Sequence, residues 1–300
     1  MHRGTAKQMT VARPRRRGSR RTLTRGFGLL CTLAVGAALA EADFGDAMTP
    51  SPPPAAAIGG YARGCLGGSV RLPADGPGWQ VMRPGRNRAY GHPELIAFIR
   101  ALSDAARGHG WPGLLVGDLA QPRGGPMRSG HGSHQTGLDA DIWLTPAPPQ
   151  PLSPAAREEL SATSMVRADG RHVDAERWTP EHVALLRTAS GFREVDRIFV
   201  NPAIKRALCE AVTGDRGWLG KIRPWWGHDA HMHVRLRCPS GDARCIDQPP
   251  FPAGDGCDAG LDWWFGEEAK AELARRREAP SHKLTLADLP PACRAVLLAR

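Results

Sequence analysis

Several familiar signatures are absent from this 300-residue chain. No internal repeat recurs, no glycine-rich phosphate loop opens a helix and no heptad pattern persists, which sets aside solenoids, nucleotide-triphosphate sites and coiled coils. None of the seven cysteines stands in a Cys-x-x-Cys pair, so a cysteine-liganded structural zinc has no support. Acidic residues are missing from residues 1–40, which hold nine of the ten excess positive charges of the whole chain. With those removed a single excess charge remains, and the nucleic-acid partner that a net +10 suggests loses its basis.

Long apolar runs are scarce as well. The stretch 26–40, GFGLLCTLAVGAALA, is too short for a comfortable membrane span and ends in the small-residue pattern Ala38-Leu39-Ala40. Residues 1–40 therefore read as a signal peptide cut after Ala40, leaving no stable span in the mature form. The string Ser19-Arg20-Arg21-Thr22-Leu23 resembles a twin-arginine signal, with ordinary secretion as the alternative. Export implies a periplasmic, oxidising location. There the six remaining cysteines, Cys65, Cys209, Cys238, Cys245, Cys257 and Cys293, read as three disulfides whose pairing the spacing leaves open. Residues 41–57 are Ala/Pro-rich and read as an extended linker. Residues 58–300 read as one domain, loop-rich given 35 Gly and 27 Pro, with a core supported by 41% hydrophobic residues.

Two stretches carry the chemistry. In SGHGSHQTGLDADIWL, residues 129–144, Leu138, Ala140, Ile142 and Leu144 alternate with Asp139, Asp141 and Trp143, the period of a half-buried strand. That period turns Asp141 away from the core, and Gly130, Gly132 and Gly137 let the chain bend so that His134 can reach it. In WWGHDAHMHVRL, residues 225–236, Met232, Val234 and Leu236 take one strand face, and His231, His233 and Arg235 take the other. A catalytic zinc site needs three nitrogen or oxygen ligands and one open position for water. His134, Asp141 and His233 meet that count. His231, on the same face as a ligand, is placed to act as general base, and His228 just upstream to support the transition state. Sequence reasoning thus predicts an α+β fold in which a central antiparallel sheet carries the metal site, flanked by helices and disulfide-tied loops.

The strings QPRGGPMRSGHGSHQTGLDADIWL, residues 121–144, and WWGHDAHMHVRL resemble the penicillin-insensitive murein endopeptidases, with similarity running from about Ile58 to about Arg300. This resemblance implies a periplasmic zinc enzyme that hydrolyses D-alanyl to meso-diaminopimelyl cross-links in peptidoglycan. It implies zinc on His134, Asp141 and His233, with His231 and His228 as catalytic histidines. A second metal on His131, Asp169 and His172 is implied too, as are disulfides pairing Cys65 with Cys293, Cys209 with Cys257 and Cys238 with Cys245. The lack of a serine nucleophile accounts for indifference to penicillin, which acylates serine. The alternatives are a D,D-carboxypeptidase or other cell-wall amidase with the same metal centre, and a non-catalytic zinc-containing peptidoglycan-binding module.

Elsewhere the pattern is scaffold. Residues 92–107 place Leu95, Ile96, Ile99, Leu102 and Ala106 on one helical face, with Pro93 in the first turn. Residues 113–119 form a buried strand leading into a loop where Arg123 is read either as a clamp for a substrate carboxylate or oxyanion, or as an ordinary loop arginine. Ser153 caps a short helix. A capped helix over 179–190 turns Val183, Leu186 and Ala189 inward and leaves His182 at the surface. Trp225 and Trp226 are read as a cleft wall or as packing under the sheet. Residues 266–278 form a solvated helix with acids early and bases late, and residues 284–298 return an apolar face to the body.

Overall fold

The computed structural model describes residues 43–279 and 283–300. The expected leader, its cut after Ala40 and the twin-arginine string lie outside the described residues. No helix among the described residues is long and apolar enough to cross a membrane.

Eleven strands and seven α-helices are found among the described residues. A hairpin of β1 (Ala56–Gly60) and β2 (Arg63–Gly67) starts the chain, and β3 (Val70–Arg71) later pairs with β6 (Tyr90–Gly91). The main sheet comprises β4 (Asp75–Gly76), β5 (Trp79–Val81), β7 (Leu114–Val116), β8 (Asp139–Trp143), β9 (Val195–Val200), β10 (Ile222–Pro224) and β11 (His231–Leu236). Their spatial order is β10-β9-β11-β8-β7-β5-β4. The four central strands, β9, β11, β8 and β7, pair antiparallel as expected. The flanks add parallel pairs, β10 with β9 and β5 with β7, so the sheet is mixed. Parallel neighbours need a crossover. One crossover carries α1 (Pro93–Gly108), and the other carries α4 (Pro202–Ala211).

The α1 helix begins where Pro93 fixes the first turn and His92 Nδ1 accepts from the Glu94 N–H. Its apolar face, Leu95, Ile96, Phe98, Ile99 and Leu102, joins one core cluster with Ala140 and Ile142 of β8 and Met232 and Val234 of β11. The α3 helix (Pro180–Gly191) adds Leu185, Leu186 and Ala189 to the same core. Val183, expected inward with Leu186 and Ala189, is only partly buried, because His182 and Leu185 fill the inward side of that turn. The remaining helices are α2 (Pro154–Glu159), capped by Ser153, α5 (Ala259–Trp263), α6 (Glu267–Glu278) and α7 (Ala292–Leu298).

The Ala/Pro-rich stretch expected as a linker is anchored at Phe44, Ser51 and Ala57, while Met48 and Pro52, Pro53 and Pro54 are exposed. Phe44 is buried in a second cluster with Ile58, Cys65, Leu289, Cys293 and Leu297, where its large aromatic side chain anchors the segment. All three disulfides pair as the resemblance implied: Cys65–Cys293, Cys209–Cys257 and Cys238–Cys245. The first ties β2 to α7 across 228 positions of sequence.

Candidate metal centre

The alternation in β8 and β11 does what its period dictates, and the register between them sets the site. His233 lies directly opposite Asp141, and His231 opposite Trp143. Cross-strand partners share a face, so Asp141, His231 and His233 all project to the side away from Met232 and Val234. That second face is largely covered: Asp139 and Asp141 are buried beside the loop before β8, and Trp143 is buried against Met82, Leu115 and Ala147, while His231 stays partly exposed in a pocket that it lines with Asp118, His131 and Asp141. His134 sits in that loop with a left-handed backbone, φ 66°, held by its N–H donating to Asp139 Oδ2 at 2.9 Å. Gly137 makes the path of this loop feasible, since its φ is 70° and a Cβ there would stand 2.3 Å from Leu66 Cδ2. Gly130 also adopts a positive φ, whereas Gly132 does not.

Four imidazoles converge on one carboxylate. Asp141 Oδ1 lies 3.2 Å from His233 Nδ1, 3.5 Å from His134 Nε2 and 3.7 Å from His231 Nε2, while Oδ2 lies 3.4 Å from His131 Nδ1. Buried polar atoms are normally paired. Here both ring nitrogens of His134 and Asp141 Oδ1 are buried without a hydrogen-bond partner. A cation among these atoms would satisfy His134 Nε2 and Asp141 Oδ1 together, so the residues present fit a metal. Donor atoms of His131, His134 and Asp141 all lie within 4.8 Å of one another.

The surrounding charges follow from burial and from two carboxylates behind the imidazoles. Asp139 is fully buried and accepts from His233 Nε2 at 3.0 Å, from Arg235 Nε at 2.7 Å and from Arg235 Nη2 at 3.2 Å. Burial alone would raise its pKa, but Arg235 and His233 hold it well below the carboxylate range. Burial would also push the His233 imidazolium down, yet Asp139 and Asp141 outweigh it and hold that pKa up at about 9. Asp141 is kept well below its usual value by His134 and His231, against its burial. Burial lowers His231 and His134, and it lowers His228 to about 4 with help from His233 and His231.

A family model described as penicillin-insensitive murein endopeptidase matches residues 57–298. Proteins of that name from Yersinia enterocolitica, Klebsiella pneumoniae and Escherichia coli K12 are each 43% identical to the chain. The matches cover 90% of this chain and 95%, 96% and 96% of the respective relatives. The chain belongs to the penicillin-insensitive murein endopeptidase family. It is accordingly a hydrolytic enzyme.

Within this murein endopeptidase family member, the residues of the expected second metal stand in two groups among the described residues. Asp169 and His172 pair with each other at 2.9 Å on the surface, as a turn of solvated side chains does. His131 instead joins the Asp141 cluster, with its Nε2 3.0 Å from Asp118 Oδ2. Arg123 is a tether rather than a substrate clamp: its guanidinium donates to the carbonyls of Thr49, Val296 and Leu297. His182 is a buried residue, not a surface one. Its ring completes a capping box with Thr179 and reaches the Leu144 carbonyl at 2.9 Å. Trp225 and Trp226 do not pack under the sheet; they line a cleft with Trp263 and Trp264.

Sequence reasoning overlooked two carboxylates. The Asp139-x-Asp141 spacing, two acids on one strand face, signals the first. Asp118 lies two residues past β7 and accepts from Arg86 and Arg88, and the second branch of Arg88 grips Ser129 in the histidine loop. Burial works against the Asp118 charge, but His131 and these arginines hold its pKa at about 2. The other pair missed is Trp263 and Trp264, remote in sequence from the histidines.

Proposed function

We propose that this protein is a zinc-dependent endopeptidase of the periplasm that hydrolyses D-alanyl to meso-diaminopimelyl cross-links in peptidoglycan. The observation that carries this reading is the set of unpartnered buried atoms, His134 Nε2 and Asp141 Oδ1, 3.5 Å apart and faced by His233 Nδ1, in a chain of this family. His134, Asp141 and His233 would hold the ion, a ligand set of two imidazoles and one carboxylate that suits catalytic zinc. When bound, zinc supplies Lewis-acid polarisation of the scissile carbonyl and lowers the pKa of water to roughly 7. Three disulfides support an oxidising compartment.

The chain's own groups account for proton handling. His231 is neutral near pH 7 because burial lowers its pKa, so its ring is ready to take a proton from the attacking water and return it to the leaving amine. His228 donates Nδ1–H to the Trp226 carbonyl at 2.9 Å, which leaves Nε2 of the neutral ring as an acceptor. Its support of the transition state is thus acceptance of a hydrogen bond, from the water or the leaving amine, rather than donation to an oxyanion. Asp139 fixes the other end of His233.

Digestion of purified cross-linked muropeptide dimers and of monomers, with metal analysis of the same preparation, tests the reading. Dimers are expected to be cleaved, to survive after chelation, and to be cleaved again when zinc is restored. Intact dimers in the zinc-loaded sample would reject it, and trimming of monomers alone would favour a D,D-carboxypeptidase.

A further inference from the structure

Beside the candidate metal centre four indoles gather at the surface. Trp225 and Trp226 stand at the end of β10 and just before His228, while Trp263 and Trp264 come from the end of α5. Ring centroids are 4.8 Å apart for Trp226 and Trp264, 5.4 Å for Trp263 and Trp264, and 5.7 Å for Trp225 and Trp226. Trp225 is 40% exposed and Trp263 38% exposed, a large apolar surface for a protein to leave wet. Together with one face of α6 they line a cleft of about 560 Å³ whose rim carries Glu268, Glu272, Arg275 and Arg276. The size suits a ligand of one or two rings.

This cleft is linked to the histidines through Phe199 and through the Trp226 backbone. Phe199 lies 6.0 Å from Trp225 on one side and 5.4 Å from His233 on the other. The Trp226 carbonyl is the acceptor that orients His228. The indoles and the histidines thus stand on either side of Phe199, one ring apart.

We propose that the four-tryptophan cleft binds a sugar ring of the glycan strand that bears the peptide being cut. The inference rests on the peptidoglycan reading above and deepens it. A pyranose presents C–H faces to aromatic rings and hydroxyl and acetamido groups at its edges. The exposed indole surface of Trp225 and Trp263 matches the former, with the Arg276 guanidinium already standing over Trp225 and Trp226 at 5.8 and 5.1 Å from the ring centroids, and the rim of paired carboxylates and guanidinium groups matches the latter, with acceptors and donors side by side. The rim charges pair among themselves, Glu272 with Arg275 and Arg276, so the cleft has no strong bias toward an anion or a cation. A cross-linked peptide in the metal site remains covalently joined to its glycan strand, which must pass over a nearby surface, and the tryptophan cleft is such a surface, separated from the histidines by Phe199.

The test uses the full mature enzyme, titrated with peptide-free murein glycan oligosaccharides and followed by tryptophan fluorescence and by calorimetry. The parent is expected to bind; Trp263→Ala weakens binding by about tenfold or more, as truncation of a central aromatic anchor does, while Trp263→Phe retains most of it. Trp263 touches neither the histidines nor Asp141. Trp263→Ala is therefore expected to cleave sugar-free cross-linked peptide dimers as the parent does, and to lose about tenfold in kcat/KM on intact murein. Absence of glycan binding by the parent would overturn the proposal, as would equal losses on both substrates, or concentration-dependent self-association that Trp263→Ala abolishes in place of glycan binding. If the parent cleaves neither substrate, the endopeptidase reading fails, and the glycan titration still decides this one.

Discussion

Asp139 Oδ1 accepts from Nε2 of His233 at 3.0 Å, and that contact decides which nitrogen of the ring faces Asp141. A ligating imidazole held by a carboxylate is more basic and has one fixed tautomer. Asp139 in turn is held by Arg235, its neighbour across the ladder. The pair orients the site from behind.

Asp139→Asn should therefore weaken metal binding by about 10- to 100-fold while leaving the fold in place, measured by competition against a chromogenic chelator. Unchanged metal affinity would show that His233 is oriented by packing alone.

For His231 the expectation is different. His231→Gln should keep its metal content by elemental analysis and lose about 10²- to 10⁴-fold in kcat/KM on muropeptide dimers, the usual worth of a positioned general base. Activity near that of the parent would remove His231 from proton transfer.

Arg123→Ala should leave kcat/KM unchanged. It should lower the unfolding free energy by about 1–3 kcal/mol, because charge-assisted bonds to the Thr49, Val296 and Leu297 carbonyls are lost. Denaturant unfolding and a dimer assay on one preparation check both halves. A loss of activity with stability intact would restore the clamp.

Lys205 offers a pH signature away from the metal centre. It is 0% exposed, with Nζ donating to the Leu219 and Asp255 carbonyls, and burial lowers its pKa from 10.5 to about 8. Between those values the folded chain holds it neutral while the unfolded chain holds it protonated, so the unfolded state binds the extra proton. Its contribution to stability should rise with pH across the window from 8 to 10.5, by up to about 1.4 kcal/mol per unit. Comparing unfolding curves of the parent and Lys205→Met at several pH values isolates that slope. Equal slopes would show that Lys205 titrates normally.

The sheet around the site was largely readable from the chain because its strands obey a period of two. Residues 138–144 and 231–236 each assign alternate side chains to opposite faces, and the core face follows from Ala140, Ile142, Met232 and Val234 alone. The helix of α1 was equally plain, since apolar spacing and Pro93 agree. Less was legible where a residue's surroundings come from elsewhere. Nothing local to Phe44 says that Cys293 and Leu297 will cover it, and nothing near His182 says that the Leu144 carbonyl lies within reach. Strand β10 joins β9 in parallel only because α4 carries the chain back, a matter of topology rather than period.

What the amino-acid sequence determined by itself was the chemistry on offer: histidines and a carboxylate on polar strand faces, cysteines in even number, and family strings specific enough to place the chain. Those follow from residue type and spacing, which are local properties. Only the tertiary structure decided register and neighbourhood: that His233 sits opposite Asp141, that His131 turns to the same carboxylate, that Arg123 holds the C-terminal helix, and that four distant tryptophans share one cleft. Each of these depends on packing between segments far apart in the chain, where burial and hydrogen bonding choose among partners that local spacing leaves equivalent.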